Sequence, residues 1–196
     1  TYDAELKIVP VEGKSFTLPD DQLDRIAKIP GVKSYSRVIE DHAVAVYRDQ
    51  QAVVEIRGVE EAYIKTNKLD TFLRRGSLLL KEDDRNMAIL GAGIAYELGV
   101  ILDSRGYQIE LIYPRNIRPG ALVGTNSVRR TRLYPVGVVS IDTSLDEKLL
   151  ITSYEAISDI LGYDNRYTGL EIYAGAKENL NEIEKQLSEI VGPQFN

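Results

Sequence analysis

Val38-Ile-Glu-Asp-His-Ala-Val-Ala-Val-Tyr47, Arg48-Asp-Gln-Gln51 and Ala52-Val-Val-Glu-Ile-Arg-Gly-Val59 follow one another without a break. Two runs rich in β-branched residues around a short polar segment predict a β-hairpin. Val44 and Val46 in the first run, and Val54 and Ile56 in the second, alternate with small or charged neighbours. Side chains alternate between the faces of a strand, so these four are the expected buried residues.

The segments on either side extend the hairpin into a layer. Upstream, Ala4 to Val11 sets Leu6, Ile8 and Pro10 on one side of a short strand. Pro19 and Asp20-Asp21 then open a predicted helix, with proline early and carboxylates at the positive end of the dipole. Leu23, Ile26 and Ala27 form its apolar stripe, and Pro30-Gly31 ends it. At the far end, Gly169 to Ala174 reads as a strand. Glu178 to Val191 reads as a helix with Leu180, Ile183, Leu187, Ile190 and Val191 on one face. The expected fold class is α+β, with a ferredoxin-like βαββ/βα subdomain formed by the two chain ends.

Between the ends lies material of a different pattern. Ala88 to Leu98 reads as a small-residue helix ending at Gly99, and Tyr107 to Tyr113 and Leu133 to Ile141 as strands. Ser153 to Leu161 reads as a helix with Ser153 at the N-cap and Gly162 beyond its end. These form an inserted second mixed α/β subdomain. The expected division is 1–59 with 165–196 as the outer subdomain, and 60–164 as the insertion.

Composition excludes several functions. A net charge of −6 argues against a nucleic-acid binder, which would carry a basic stripe. With no Cys there is neither a disulfide framework nor a Cys-based zinc site. No run approaches the roughly 18 apolar residues of a membrane span, and no charged-then-apolar leader opens the chain. The start at Thr1 is expected for a fragment or processed product.

Enzyme chemistry finds no footing. Nucleophilic catalysis would need His42 as its base, at the start of a β-run, and no serine stands in a G-x-S-x-G setting. Gly91-Ala-Gly93 lacks the third glycine of a dinucleotide fingerprint and reads instead as close packing through small residues. There is no Walker sequence. The acid pairs Asp20–Asp21, Asp83–Asp84 and Asp146–Glu147 sit at element boundaries, where solvated carboxylates are ordinary, and Asp164-Asn165 reads as a turn. The expectation is no enzyme, no cofactor, no metal and no catalytic residue. Arg115 to Arg132 is the longest irregular segment, and such segments are either functional or of no special role. Its cluster Arg129-Arg130-Thr-Arg132 reads either as an anion or lipid-headgroup site or as solvated charge.

Several motifs carry a resemblance. Ile29-Pro-Gly-Val32, Val54-Glu-Ile-Arg-Gly-Val59, Gly76, Ala88-Ile-Leu-Gly-Ala-Gly-Ile-Ala95, Leu98-Gly-Val100, Tyr107-Gln-Ile-Glu-Leu-Ile-Tyr-Pro114 and Val136-Gly-Val-Val-Ser-Ile141 stand in order along the chain. Together they resemble the MacB-like periplasmic core domain of ABC-transporter permeases, most of all the transmembrane permease of the lipoprotein-releasing system. Ser104-Arg-Gly106 departs from the family's Gly-Asp before the strand, and the Arg115–Arg132 loop has its own sequence.

The resemblance implies a periplasmic domain of an inner-membrane protein, continuing at both ends into membrane helices. The implied partners are a second permease subunit, a cytoplasmic ATPase subunit, a lipoprotein substrate and a periplasmic lipoprotein carrier. ATP hydrolysis elsewhere would drive movement of the lipoprotein through this domain. Other members export macrolides or peptides, or regulate cell-wall hydrolases, and these remain alternatives. Relatives carry a carrier-contacting protrusion where this chain has its long loop. The implied partner-binding residues are Arg115, Arg118, Pro119, Leu122, Val123, Arg129 and Arg130.

Overall fold

The hairpin forms as expected, from two unusually long strands. In a computed structural model describing residues 4–102, 106–114, 128–175 and 179–196, β1 (Leu6–Ile8) leads into α1 (Asp20–Ala27), and β2 (Val32–Tyr47) and β3 (Gln50–Val59) follow. Arg48 takes a left-handed φ of 56° at the turn, and Tyr47 pairs with Gln50, so the connection is two residues long. Next come α2 (Glu61–Thr66), a 3₁₀ turn (Leu69–Phe72), β4 (Leu73–Gly76) and β5 (Lys81–Glu82). They are followed by β6 (Arg85–Gly91), α3 (Ala92–Glu97), β7 (Ile109–Pro114) and β8 (Val128–Val139). The chain ends with α4 (Thr143–Asp146), β9 (Leu149–Ser153), α5 (Tyr154–Leu161), β10 (Gly169–Ala174) and α6 (Leu180–Val191).

The fold is α+β, dominated by strands. β1 and β2 run parallel with β10 antiparallel between them, which makes β1-α1-β2 a split βαβ unit. α1 and α6 cover one face of this layer, burying Ile26, Ile183, Leu187 and Val191 against Ile39, Leu170 and Ile172. Each such side chain contributes roughly 1.5–3 kcal/mol of transfer free energy before entropy is subtracted.

The sequence did not reveal a closed ring. β2 pairs with β3, β3 with β9, β9 with β6, β6 with β8, β8 with β7, and β7 returns to β2. Strands from both of the stretches delimited above share this six-stranded, barrel-like closure. Ala43, Ala45, Val54, Ile56, Leu90 and Leu150 face inward and are buried. α5 follows the end of β9 and α3 the end of antiparallel β6, so the two helices sit over opposite ends of the ring. A second apolar cluster, with Val38, Val59, Tyr63, Leu69 and Ile151, lies outside the ring beneath α2 and the 3₁₀ turn.

Two expectations are corrected. The inward residues of β2 are Ala43 and Ala45, while Val44 and Val46 are only half-buried on the outer face. The register sets Ala43 opposite inward-facing Val54 and Ala45 opposite Ala52, and alternation along β2 then turns Val44 and Val46 outward. The expected Ala88–Leu98 helix is β6 up to Gly91 and a helix only from Ala92. Met87 to Leu90 are wholly buried between β8 and β9, and a short apolar run buried on both faces has no period to separate strand from helix.

The close packing read from Gly91 and Gly93 is present. A Cβ on Gly91 would stand 2.6 Å from the carbonyl oxygen of Asp146, and one on Gly93 2.9 Å from it. Backbone cannot yield as a side chain tip can. Gly91→Ala is expected to cost about 3 kcal/mol, the upper end for an overpacked site, measured by urea unfolding.

Candidate partner-binding surface

The β7–β8 hairpin carries the predicted partner-binding residues. Arg115, Arg118, Pro119, Leu122 and Val123 lie outside the described residues. Arg129 and Arg130 are described, in a strand and not in a loop: β8 begins at Val128, and its register with β7 runs from Pro114↔Val128 to Ile109↔Leu133. Cross-strand pairing recruits the arginines into the ladder although arginine itself has no strong strand preference.

Both arginines have partners within the fold. The Arg129 guanidinium lies 3.3 Å from the Ile160 carbonyl oxygen and 3.5 Å from that of Asp159, at the C-terminal end of α5. A cation there meets the negative end of the helix dipole. Gly162 turns the chain away at φ 69°, and a Cβ on it would stand 2.2 Å from an Arg129 nitrogen. Arg130 pairs with Glu110 at 3.1 Å. Tyr113 donates to Asp41 at 2.8 Å and ties the hairpin to β2. Burial and the adjacent carboxylate raise the Tyr113 pKa, which keeps the phenol protonated. Arg129→Ala is expected to lower stability by about 1 kcal/mol, and Arg130→Ala, at an exposed pair, by less than about 0.5 kcal/mol. Thermal or urea unfolding of the two variants checks the order.

A second concentration of charge, with Arg57 and Glu171 buried and Lys7 and Glu40 half-buried, has no counterpart in the sequence reading. Glu40 on β2 meets Lys7 and Arg57, each at 2.5 Å, and Arg57 donates to the Tyr63 hydroxyl at 2.7 Å. Nearby, Asn67 donates to the Tyr173 hydroxyl at 2.7 Å, and Tyr173 donates to Glu171 at 2.6 Å. These contacts join β1, β2, β3 and β10 to α2 and the residue after it. The signal available in the sequence was Glu171 and Arg57 at strand positions where their neighbours demand burial.

The two carboxylates titrate in opposite directions. Burial works to raise the pKa of Glu40, but Arg57 and Lys7 outweigh it and hold the pKa below the usual carboxylate value. Burial of Glu171 prevails over the Tyr173 hydrogen bond and the charges of Arg57 and Lys7, so its pKa is raised. A raised folded-state pKa stabilises fully below the unfolded value, near 4.3, and that contribution is lost as pH rises through the folded value. Glu171→Gln keeps an acceptor for Tyr173 and removes this titration. Relative to the variant, the wild type is expected to lose stability between the ordinary carboxylate range and neutrality, measured by urea unfolding. A constant difference would contradict the assignment.

The other sites weighed from sequence are dispersed. His42 is exposed within β2, opposite Glu55, whose carboxylate pairs with Lys148 at 2.8 Å. Asp146 accepts from the Ser140 hydroxyl and the Ile141 amide, both at 2.8 Å, an architectural use of the carboxylate. Asn165 takes φ 55° in the expected turn. Among the described residues, no three His, Asp or Glu side chains converge as a metal site.

No protein-family model and no curated protein matches the sequence. Solved structures do match the fold. The extracellular domain of the ABC-type transporter YknZ from Gram-positive bacteria superposes with a TM-score of 0.67 at 12% identity, covering 97% of each chain. The periplasmic region of MacB from Actinobacillus actinomycetemcomitans gives 0.63 at 17% identity, over 97% of this chain and 86% of that one. The chain has the fold of these transporter domains. Among the described residues no helix is long and apolar enough to cross a membrane.

Proposed function

We propose that this chain is an extracytoplasmic domain of an ABC-transporter permease, with no chemistry of its own. The observation that carries the reading is the fold likeness to the YknZ and MacB domains along almost the whole chain. The arrangement of the ends supports it. Val9 and Asn196 exchange both backbone hydrogen bonds at 2.9 Å, and Pro10 bridges Phe195, so the segment after β1 and the last residues lie side by side. A domain looped out between two membrane helices needs that arrangement. The split βαβ unit supports reading the layer formed by the chain ends as ferredoxin-like.

In this reading the domain transmits the effect of ATP hydrolysis by a cytoplasmic subunit, moving against a second permease subunit. The finer proposal is release of a lipoprotein from the inner membrane to a periplasmic carrier, supported by the ordered sequence motifs. Efflux or peptide export, and regulation of cell-wall hydrolases, are the competing outcomes. The coding sequence on either side tests the coarse reading: one membrane helix before residue 1 and three after residue 196 are expected, and their absence overturns it. Photocrosslinking from Val123 in the membrane-embedded parent tests the finer one. Capture of a lipoprotein or its soluble carrier is expected. Capture of a channel adaptor or a hydrolase, or no capture, rejects lipoprotein release through this loop.

A further inference from the structure

β4 ends the sheet. Among the described residues it pairs with β8 on one side only, and the order β1-β10-β2-β3-β9-β6-β8-β4 places no strand beyond it. Its register with β8 shifts between Leu73 and Arg75. Successive residues of a regular strand face opposite ways, whereas a bulge re-aims one of them. Consecutive Arg74 and Arg75 therefore line the same open groove, of about 460 Å³.

The rest of that groove is small and apolar. Ala95, Val100 and Val138 form a buried floor, Ala92 and Gly99 leave it shallow, and Tyr96 stands over it with 89% of its surface exposed. Among the described residues no carboxylate lines it. Arg74 and Arg75 enter no ion pair among the described residues, and neither do Arg25, Arg48, Arg129, Arg132 and Arg166; what distinguishes Arg74 and Arg75 is that they stand side by side on one groove. Two unneutralised guanidiniums side by side, in a chain whose net charge is −6, form a local cationic feature and not a general basic surface.

We propose that this edge docks an extended acidic segment of a partner protein, which adds as a strand along β4. The open backbone edge supplies main-chain hydrogen bonds, as strand addition requires. The arginines supply forked, charge-assisted bonds to carboxylates. Carboxylates on every second residue of the added strand face the groove with the arginines, their methylene stems lying over Ala92 and Ala95 against Tyr96, and the residues between them face away. A second copy of this chain does not fit: pairing β4 with β4 sets arginine against arginine. The inference stands independently of the transporter reading.

Arginines and a bulge on an edge can also serve to discourage pairing with other chains, and the experiment separates the two roles. The uniformly ¹⁵N-labelled chain is titrated with a capped nonapeptide of alternating Glu and Val, and separately with its Lys–Val counterpart and inorganic phosphate. The expected result is saturable movement of the Leu73–Gly76 and Tyr96 amide signals by the Glu–Val peptide alone. Affinity is expected to fall at least tenfold in the Arg74→Glu/Arg75→Glu double variant and several-fold in Tyr96→Ser, with the remaining signals in place. No binding, binding elsewhere, equal binding of the Lys–Val peptide, or the same shifts with phosphate overturns the proposal.

Discussion

Return of β7 to β2 is the contact on which the rest of the structure depends. β2 is 16 residues long, and along one edge it serves two partners in succession: β10 from Val32 to Val38, then β7 from Val44 to Val46. Along its other edge it pairs with β3 from Val38 to Tyr47. One strand thereby belongs both to the layer with α1 and α6 and to the ring. Closure leaves the ring strands without an edge in their shared region, and its interior packs Ala43, Ala45 and Ala88 beside the larger Val54, Ile56, Leu90 and Leu150.

The partly buried polar seam sits where these two parts meet. Four charged side chains, Lys7, Glu40, Arg57 and Glu171, face each other around the β1–β10–β2–β3 layer, and Tyr63, Asn67 and Tyr173 link them to the segment packed outside. Two cations and two carboxylates balance, so the seam is not dominated by one sign. Removing one member strands another without compensation, and that is why such a cluster specifies one packing of α2 even where an apolar replacement would stabilise as well. Arg37 performs a related task on the opposite face, holding Glu60 at 2.5 Å while its guanidinium lies 5.1 Å from the centre of the Tyr154 ring.

Legibility in the sequence followed the range of the interaction involved. The hairpin, α1 and the α5 cap could be read because their determinants are local. Ser153 accepts from the Ala156 amide at 3.2 Å, and Gly162 takes the left-handed conformation two residues after the last buried isoleucine of the helix. β6 was not legible: Met87 to Leu90 are apolar throughout, and only neighbours from residues 134–139 and 150–151 make them a strand. β9 was missed for the same reason, being buried at all five positions. Of the candidate partner-binding residues, Arg129 and Arg130 acquired their roles from Asp159, Ile160 and Glu110, none of which is adjacent to them in sequence. The paired arginines of β4 were legible as residues but not as a groove, because a bulge against β8 is what turns them together.

By itself the sequence determined the mixed class, the two ends of α5, the hairpin and the ordered motifs that resemble a permease domain, since periodicity, caps and turn chemistry act within a few residues. The tertiary structure alone decided that six strands close on one another, which face of β2 turns inward, and which arginines are engaged or left open. Those outcomes depend on pairings between segments far apart in the chain, and a local pattern contains no term for a partner that distant.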